Sequence, residues 1–467
     1  MNTKIKIPPV SVVFFAHLFS MLFPEILFSF YLILIISIIA LYKILKLKND
    51  YFWSLIIIGS FNSSFPNIYT INILKISLIY WIIVIFILTN IEQLFINKYN
   101  KNTLLLIMPL IVLYPVQIIL GYMNKYSSYL FFVDVFSFST FMFFILYGVL
   151  LDKKNRDNVL KIIKQYILIM YPIMILFSAL IMPSAPQDLF YDEFSKFHAI
   201  SFFPLLFYSN YSIKQKVYMG ILYFSSLLII GILGYSSSLN FILIAISIIF
   251  IIFTTNFKKT VVLLLMLILV ILPLSIQFYS QASPMTKFKI KQIGLVIEKL
   301  KHGDIKGIPF SPKIRILEFM NSTADLNKNP IYLITGKGFG SYFTFTSYKF
   351  EEYGINKNDL VKRDAYPHED IALNKYPRGH GFLSYTPIKL GFLSMLIIII
   401  SSFIAFFIKQ KQYLWLSVAI PFYILTTFGY GYKNFLFSGL FIGIILSINF
   451  NEERKSSSLT KLNITNG

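Results

Sequence analysis

The sequence predicts an all-α polytopic membrane protein with 12–14 transmembrane helices and one large, partly helical extracytoplasmic loop before the last three. Three observations predict this class. Hydrophobic residues make up 56% of the 467 residues and charged residues only 13%, about half the roughly 25% of a soluble globular protein. The apolar residues, 49 Phe and 31 Tyr among them, gather in runs of membrane length. Lys and Arg collect in every second gap between those runs. Such a composition leaves too little polar surface to cover a water-soluble body of this size. It excludes the soluble two- or three-domain chain that the length would otherwise imply at ~150 residues per domain.

A span needs ~20 apolar residues, and a helix satisfies its own backbone in lipid. The runs that meet or approach this length are 8–23, 26–42, 51–68, 71–90, 103–121, 128–151, 158–182, 198–211, 217–234, 236–255, 260–279, 381–408, 412–428 and 433–450. Residues 198–211 are short, and Asn62-Ser63-Ser64 with Pro66 interrupts the third run. Lys4 and Lys6 precede the first run, but Pro24-Glu25 offers no small-residue cleavage site. The run therefore reads as a retained span and not a removed signal.

Net charge is +21, from 42 basic and 21 acidic residues. In a soluble protein this excess would point to nucleic acid; here its placement matters more. Basic residues follow the second span (Lys43, Lys46, Lys48), the fourth (Lys98, Lys101), the sixth (Lys153, Lys154, Arg156) and the eighth (Lys214, Lys216). They also follow the tenth (Lys258, Lys259) and the twelfth (Lys409, Lys411), and Arg454, Lys455 and Lys461 lie in the tail. The intervening short gaps hold at most one each (Lys125, Lys196, Lys433). Because basic loops stay in the cytoplasm, the alternation predicts both termini there. Zero Cys excludes disulfides, thiolate metal sites and a Cys nucleophile.

Four segments follow: N-terminal transmembrane helices over 1–279, a large extracytoplasmic (periplasmic) loop over 280–379, the last three transmembrane helices over 380–450 and a cytoplasmic tail over 451–467. The loop carries 16 Lys/Arg and 10 Asp/Glu. Its net +6 is not a topology signal, since long loops translocate regardless of charge. Two helices are predicted within it. One, over 285–302, is basic and weakly amphipathic. The other, over 312–328, would open with Ser311 at the N-cap and Pro312 at the first helical position.

The loop contains Lys-Ile-Arg315-Ile-Leu-Glu-Phe, then Gly336-Lys337-Gly338-Phe-Gly340, and closes on Arg378-Gly-His380-Gly-Phe-Leu383, which runs directly into a span. A His at that boundary can stay neutral near pH 7 and act as a general base. Guanidinium groups such as Arg315 and Arg378 match phosphate oxygens bidentately. A base beside a phosphate clamp at the lipid interface suits attack of an acceptor hydroxyl on a lipid-pyrophosphate-linked donor. Each residue also fits a plainer role. His380 could cap the helix, the arginines could meet head groups, and the glycines could form a structural turn, being wrongly spaced for a nucleotide phosphate loop. His368-Glu-Asp370 with His380 lacks a recognised metal-ligand spacing. His17, His198 and His302 have no partner that the sequence identifies.

These residues resemble the large extracytoplasmic loop of the O-antigen polymerase and O-antigen ligase superfamily. That family shows an Arg a couple of dozen residues before a Gly-x-Gly-x-Gly turn, then a His with Leu three and Gly eleven residues after it. Arg315, Gly336, Gly338, Gly340, His380, Leu383 and Gly391 fall on the pattern. The resemblance by motif covers roughly 315–395, and by topology most of the chain. Gly381 replaces the family's Asn after the His, and the stretch Gly234-Tyr-Ser236-Ser237-Ser238-Leu239-Asn240 lacks the family's Ser-Arg pair. The second pyrophosphate contact therefore stays open among Arg378, Arg363 and Lys337.

The resemblance implies a glycosyltransferase of the bacterial cytoplasmic (inner) membrane. It would polymerise polyprenyl-pyrophosphate-linked oligosaccharide units into O-antigen or capsular polysaccharide, without metal or cofactor. His380 would be the base and Arg315 the pyrophosphate ligand. Implied partners are the lipid-linked oligosaccharide, bacterial membrane lipid, a chain-length regulator and a flippase, with no nucleic acid. The same motif fits a ligase that moves finished glycan to lipid A-core. A flippase or other transporter would instead need internal repeats and intramembrane charges; Asp134 is the clearest charge within a predicted span, and Lys75 also lies in one.

Overall fold

A computed structural model describes residues 8–23, 27–59, 72–74, 76–181, 193–232, 284–362, 365–408, 410–429 and 432–451. The predicted spans 236–255 and 260–279 lie outside them, as does the Ser236–Asn240 stretch. In chain order the first helices are α1 (Pro9–Leu22), α2 (Leu27–Leu45), α3 (Asp50–Gly59), α4 (Leu78–Ile96), α5 (Lys101–Met123), α6 (Ser128–Leu150) and α7 (Lys153–Gln165). A π-helical turn, Tyr166–Met170, joins α7 to α8 (Tyr171–Ile181), followed by α9 (Glu193–Tyr208) and α10 (Ile213–Ile232). The predicted loop supplies α11 (Pro284–Lys301), α12 (Phe310–Asn327), α13 (Pro330–Thr335), α14 (Lys357–Lys362) and α15 (His368–Leu373). The chain then runs through α16 (Phe382–Phe403), α17 (Leu414–Thr427) and α18 (Tyr432–Asn451). A two-residue antiparallel ladder, Asn72–Ile73 with Ile76–Ser77, precedes α4.

By length and composition, 6 stretches among the described residues can cross a membrane: α2, α4, α5, α6, the continuous helix Lys153–Phe177, and Phe382–Phe407. Shorter apolar helices lie within α1, α3, α17 and α18. These helices fit an all-α polytopic membrane protein.

The chain divides into two compact units. The first comprises Met1–Asn97, Leu151–Lys289 and Gln410–Ala419. Here α1 packs on α2 and α3, and α2 on α4. The π turn releases the Ile167 carbonyl, which accepts from Nε2 of buried His198 at 2.8 Å. Arg156, read from sequence as a topology marker, is only 2% exposed and lies 5.3 Å over the Tyr413 ring.

The second unit comprises Lys98–Leu150, Ile290–Lys409 and Ile420–Gly467. Its helical seam is α6 against α18. A Cβ on Gly439 would lie 2.3 Å from the Phe141 carbonyl oxygen, and one on Gly443 2.3 Å from that of Ile145. This Gly-x-x-x-Gly spacing lets the two backbones touch, the usual route to helix association in lipid. The loop residues build their own core from Ile314, Leu317, Leu326, Phe343, Phe345, Phe350, Tyr366 and Tyr376, with Ile388 of α16 joining it. An antiparallel bridge between Phe343 and Tyr376 closes that core.

Both predicted loop helices form, with one boundary corrected. Helix α12 starts at Phe310, and its N-cap is Pro309, which makes no side-chain capping bond. Ser311 and Pro312 thus occupy the second and third helical positions. Pro309 enters in extended conformation (φ −57°, ψ 152°), and Phe310 packs on the loop core, which draws the helix start toward it. Pro312 is tolerated because the first four N–H groups of a helix have no intrahelical partner.

Candidate functional site

Helix α12 turns Ile314, Leu317, Glu318, Asn321, Ser322 and Asp325 inward, the three- and four-residue spacing of a buried stripe. A carboxylate in that stripe must be compensated. Glu318 is 0% exposed and collects donors on both oxygens. Its Oε2 accepts from the His380 backbone N–H at 2.8 Å and from Ser384 Oγ at 3.2 Å. Its Oε1 accepts from His380 Nδ1 at 2.5 Å and from the Tyr366 hydroxyl. The Tyr366 ring stands edge-on to the imidazole, with centroids 4.8 Å apart.

The placement follows from α16. Gly381 is its N-cap, and the Ser384 and Tyr385 N–H groups return to the Gly381 carbonyl. His380 therefore leaves the loop immediately before a 22-residue apolar helix. The Glu318 charge sits at the end where helix dipoles favour an anion. A carboxylate can only accept, so the proton between it and the ring belongs to Nδ1. Nε2 is then the ring's acceptor in the neutral form. It makes no hydrogen bond among the described residues, and the side chain keeps 31% of its surface exposed.

Arg315 lies one turn before Glu318 on α12, and such pairs have Cβ atoms ~5–6 Å apart. It is exposed and forms no hydrogen bond or ion pair among the described residues. Glu318 thereby brings the two residues predicted from sequence, Arg315 and His380, into one neighbourhood. Arg378 is also exposed, and its charge acts on Asp370, whose carboxyl is pushed up by burial and drawn back by that guanidinium. Lys337 is engaged within the loop. Its Nζ donates to the Tyr342 carbonyl at 2.9 Å and lies 3.8 Å from Asp325 Oδ2. Burial lowers its pKa, and Asp325 opposes that. Arg363 lies outside the described residues.

The glycine turn is architectural. Gly336, Gly338 and Gly340 adopt φ of 73°, 91° and 80°, and Gly391 adopts 80°, interrupting α16. A Cβ at Gly391 would lie 2.0 Å from the Ile334 oxygen, and one at Gly338 2.5 Å from the Gly121 nitrogen. The interruption frees carbonyls of α16, and the turn and α5 supply donors to them. Lys337 N–H donates to Ile388 O at 2.8 Å, Ser341 Oγ to the same oxygen at 3.1 Å, and Gln117 Nε2 to Leu390 O at 3.0 Å. Broken helices at membrane depth need such substitutes. Phe339 at the turn's centre packs on Tyr114 and Phe138.

A second carboxylate locks this turn. Asp134 of α6 is bonded by Lys389 Nζ at 2.7 Å, the Gly340 N–H at 2.7 Å and the Tyr385 hydroxyl at 2.9 Å. Lys389 also donates to Ser341 O at 2.5 Å and is 1% exposed. Asp134, a within-span charge in the sequence, is thus one half of a buried pair.

Sequence reasoning passed over Glu318, Tyr366 and Lys389. The available signal for Glu318 was its register: an acidic residue on the apolar stripe of α12, three residues after Arg315. Among the described residues no group of three or more His, Asp or Glu side chains converges as a metal site. Compared with known proteins, the chain matches no family model, no curated protein and no solved structure.

Proposed function

We propose that the chain is a membrane glycosyltransferase of the O-antigen polymerase type. It joins polyprenyl-pyrophosphate-linked oligosaccharide units into O-antigen or capsular polysaccharide at the outer face of the bacterial cytoplasmic membrane. In this reading the full chain carries 12–14 spans, both termini are cytoplasmic, and the loop of α11–α15 faces outward. One observation carries the proposal: a fully buried Glu318 holds His380 while Arg315 stands unpaired one turn away on the same helix.

The chemistry asks for those groups. His380 Nε2 takes the proton of an acceptor sugar hydroxyl. The acceptor oxygen bonds to the anomeric carbon of the donor, and the bond from that carbon to the phosphate oxygen breaks. The electron pair leaves with the polyprenyl pyrophosphate, whose growing charge Arg315 stabilises. General base catalysis of this kind contributes ~10²–10⁴-fold. The His380→Ala variant should leave cells with single lipid-linked repeat units in place of long glycan. Near-normal chain length in that variant ends the general-base role.

Ligase activity uses the same step with a lipid A-core acceptor. A deletion strain separates them, because loss of a ligase leaves finished polymer on its lipid carrier and loss of a polymerase leaves single units. The transporter reading is less well supported. Its best candidate charge, Asp134, is already engaged by Lys389, Tyr385 and Gly340.

A further inference from the structure

We infer that Glu318 is a positioning residue that fixes which nitrogen of His380 carries the proton, and that it does so through the His380 backbone as well as the ring. The inference rests on the proposed role of His380 as a base. Glu318 takes the His380 backbone N–H on Oε2 and Nδ1 on Oε1, so one carboxylate holds both the main chain and the ring of the same residue. The backbone N–H cannot rotate or reverse. Whatever occupies position 318 must therefore present an acceptor to it.

This makes the isosteric amide diagnostic. In Glu318→Gln the amide oxygen is required opposite the His380 N–H, which turns the NH₂ group toward Nδ1. Two donors cannot face each other, so Nδ1 must become the acceptor and the ring proton moves to Nε2. Ser384 and Tyr366 do not prevent this, because hydroxyls rotate to donate or accept. The exchange of one oxygen for NH₂ would thus remove the free lone pair from the reacting side of the ring without emptying any volume. In acyl-transfer triads the corresponding loss of the correct tautomer costs about 10⁴ in kcat.

The test uses the full-length protein in lipid nanodiscs, labelled with ¹⁵N-histidine, with His380→Gln identifying the resonances. At a pH where the ring is neutral, wild type is expected to carry its proton on Nδ1 and Glu318→Gln on Nε2. A wild-type ring protonated on Nε2, or no change in the variant, overturns the inference, and the wild-type spectrum decides even where the variant folds poorly. A chain-elongation assay with lipid-linked oligosaccharide supplies the second arm. There Glu318→Gln is expected to lower kcat about 10²–10⁴-fold with KM changed only a few-fold. If His380→Ala is inactive while Glu318→Gln turns over normally, the positioning role fails and the base survives. If His380→Ala is itself active, the functional reading fails whatever the tautomer.

Discussion

Two buried carboxylates in the same compact unit are handled in opposite ways. Asp134 is met by a lysine with 1% exposure whose ammonium is buried between Asp134 and the Ser341 carbonyl. Glu318 is met by an imidazole that keeps 31% of its surface and an uncommitted nitrogen. Both carboxylates are met by three or more donors; the difference lies in how exposed their partners are. A closed pair can only hold parts together, here α6, α16 and the glycine turn. An open pair holds a reactive group in position and leaves its working face available. Burial does not distinguish the two pairs, since both acids are buried; the exposure of the partner does.

The closed pair gives the largest stability effect. Lys389→Met leaves Asp134 charged and only partly compensated by Tyr385 and Gly340, and breaking a buried pair costs about 3–5 kcal/mol. Thermal or denaturant unfolding in detergent micelles should show that loss. Adding Asp134→Asn removes both charges together while keeping an acceptor for the Gly340 N–H, so much of the loss should return. An unchanged transition in Lys389→Met would mean that the pair contributes nothing to the fold. His380→Ala should show the complementary pattern, with activity lost and the unfolding transition little moved.

The sequence made the helices legible because hydropathy is a local property. The run 103–121 became Lys101–Met123, and 128–151 became Ser128–Leu150. It also made the glycine spacing legible, though not its cause: Gly391 is required because Ile334 and Gly336 press against it from another segment. The paired charges escaped because each depends on a partner far along the chain. Glu318 meets His380 across 62 residues, and Asp134 meets Lys389 across 255. Seen alone, Glu318 is one acid in a mixed helix and Lys389 one base in an apolar run. The start of α12 was misplaced for a related reason: Ser311-Pro312 reads as a cap by local rules, while Phe310 answers to a core built from residues up to Ile388.

On the open side, Arg315 is predicted to matter through geometry and not through charge alone. A lysine keeps the charge but loses the planar fork that grips two phosphate oxygens. Hydrogen bonds to charged groups are worth about 1.5–3 kcal/mol, so Arg315→Lys should lower kcat/KM roughly 10–100-fold. Its exposure means that the unfolding transition should stay put. A kcat/KM within twofold of wild type would remove Arg315 from the site.

Arg378 carries the smallest and most local expectation, and it decides whether a second guanidinium is available to substrate. Burial raises the Asp370 pKa and Arg378 opposes the rise, so Arg378→Gln should push Asp370 higher still. The sign for stability follows. With its folded pKa above the unfolded one, Asp370 binds its proton more tightly in the folded state, so stability falls as pH rises from the unfolded value to the folded one. Removing Arg378 should widen that acidic window without affecting stability below it, where Asp370 is protonated in both states. Carboxyl NMR titration of Asp370 in the two proteins reads the shift directly. A large shift would show that Arg378 is engaged by Asp370 and leaves Arg315 to hold the pyrophosphate alone. A small one, together with a raised KM for the lipid-linked donor in Arg378→Gln, would make Arg378 the second phosphate contact that the missing Ser-Arg pair leaves open.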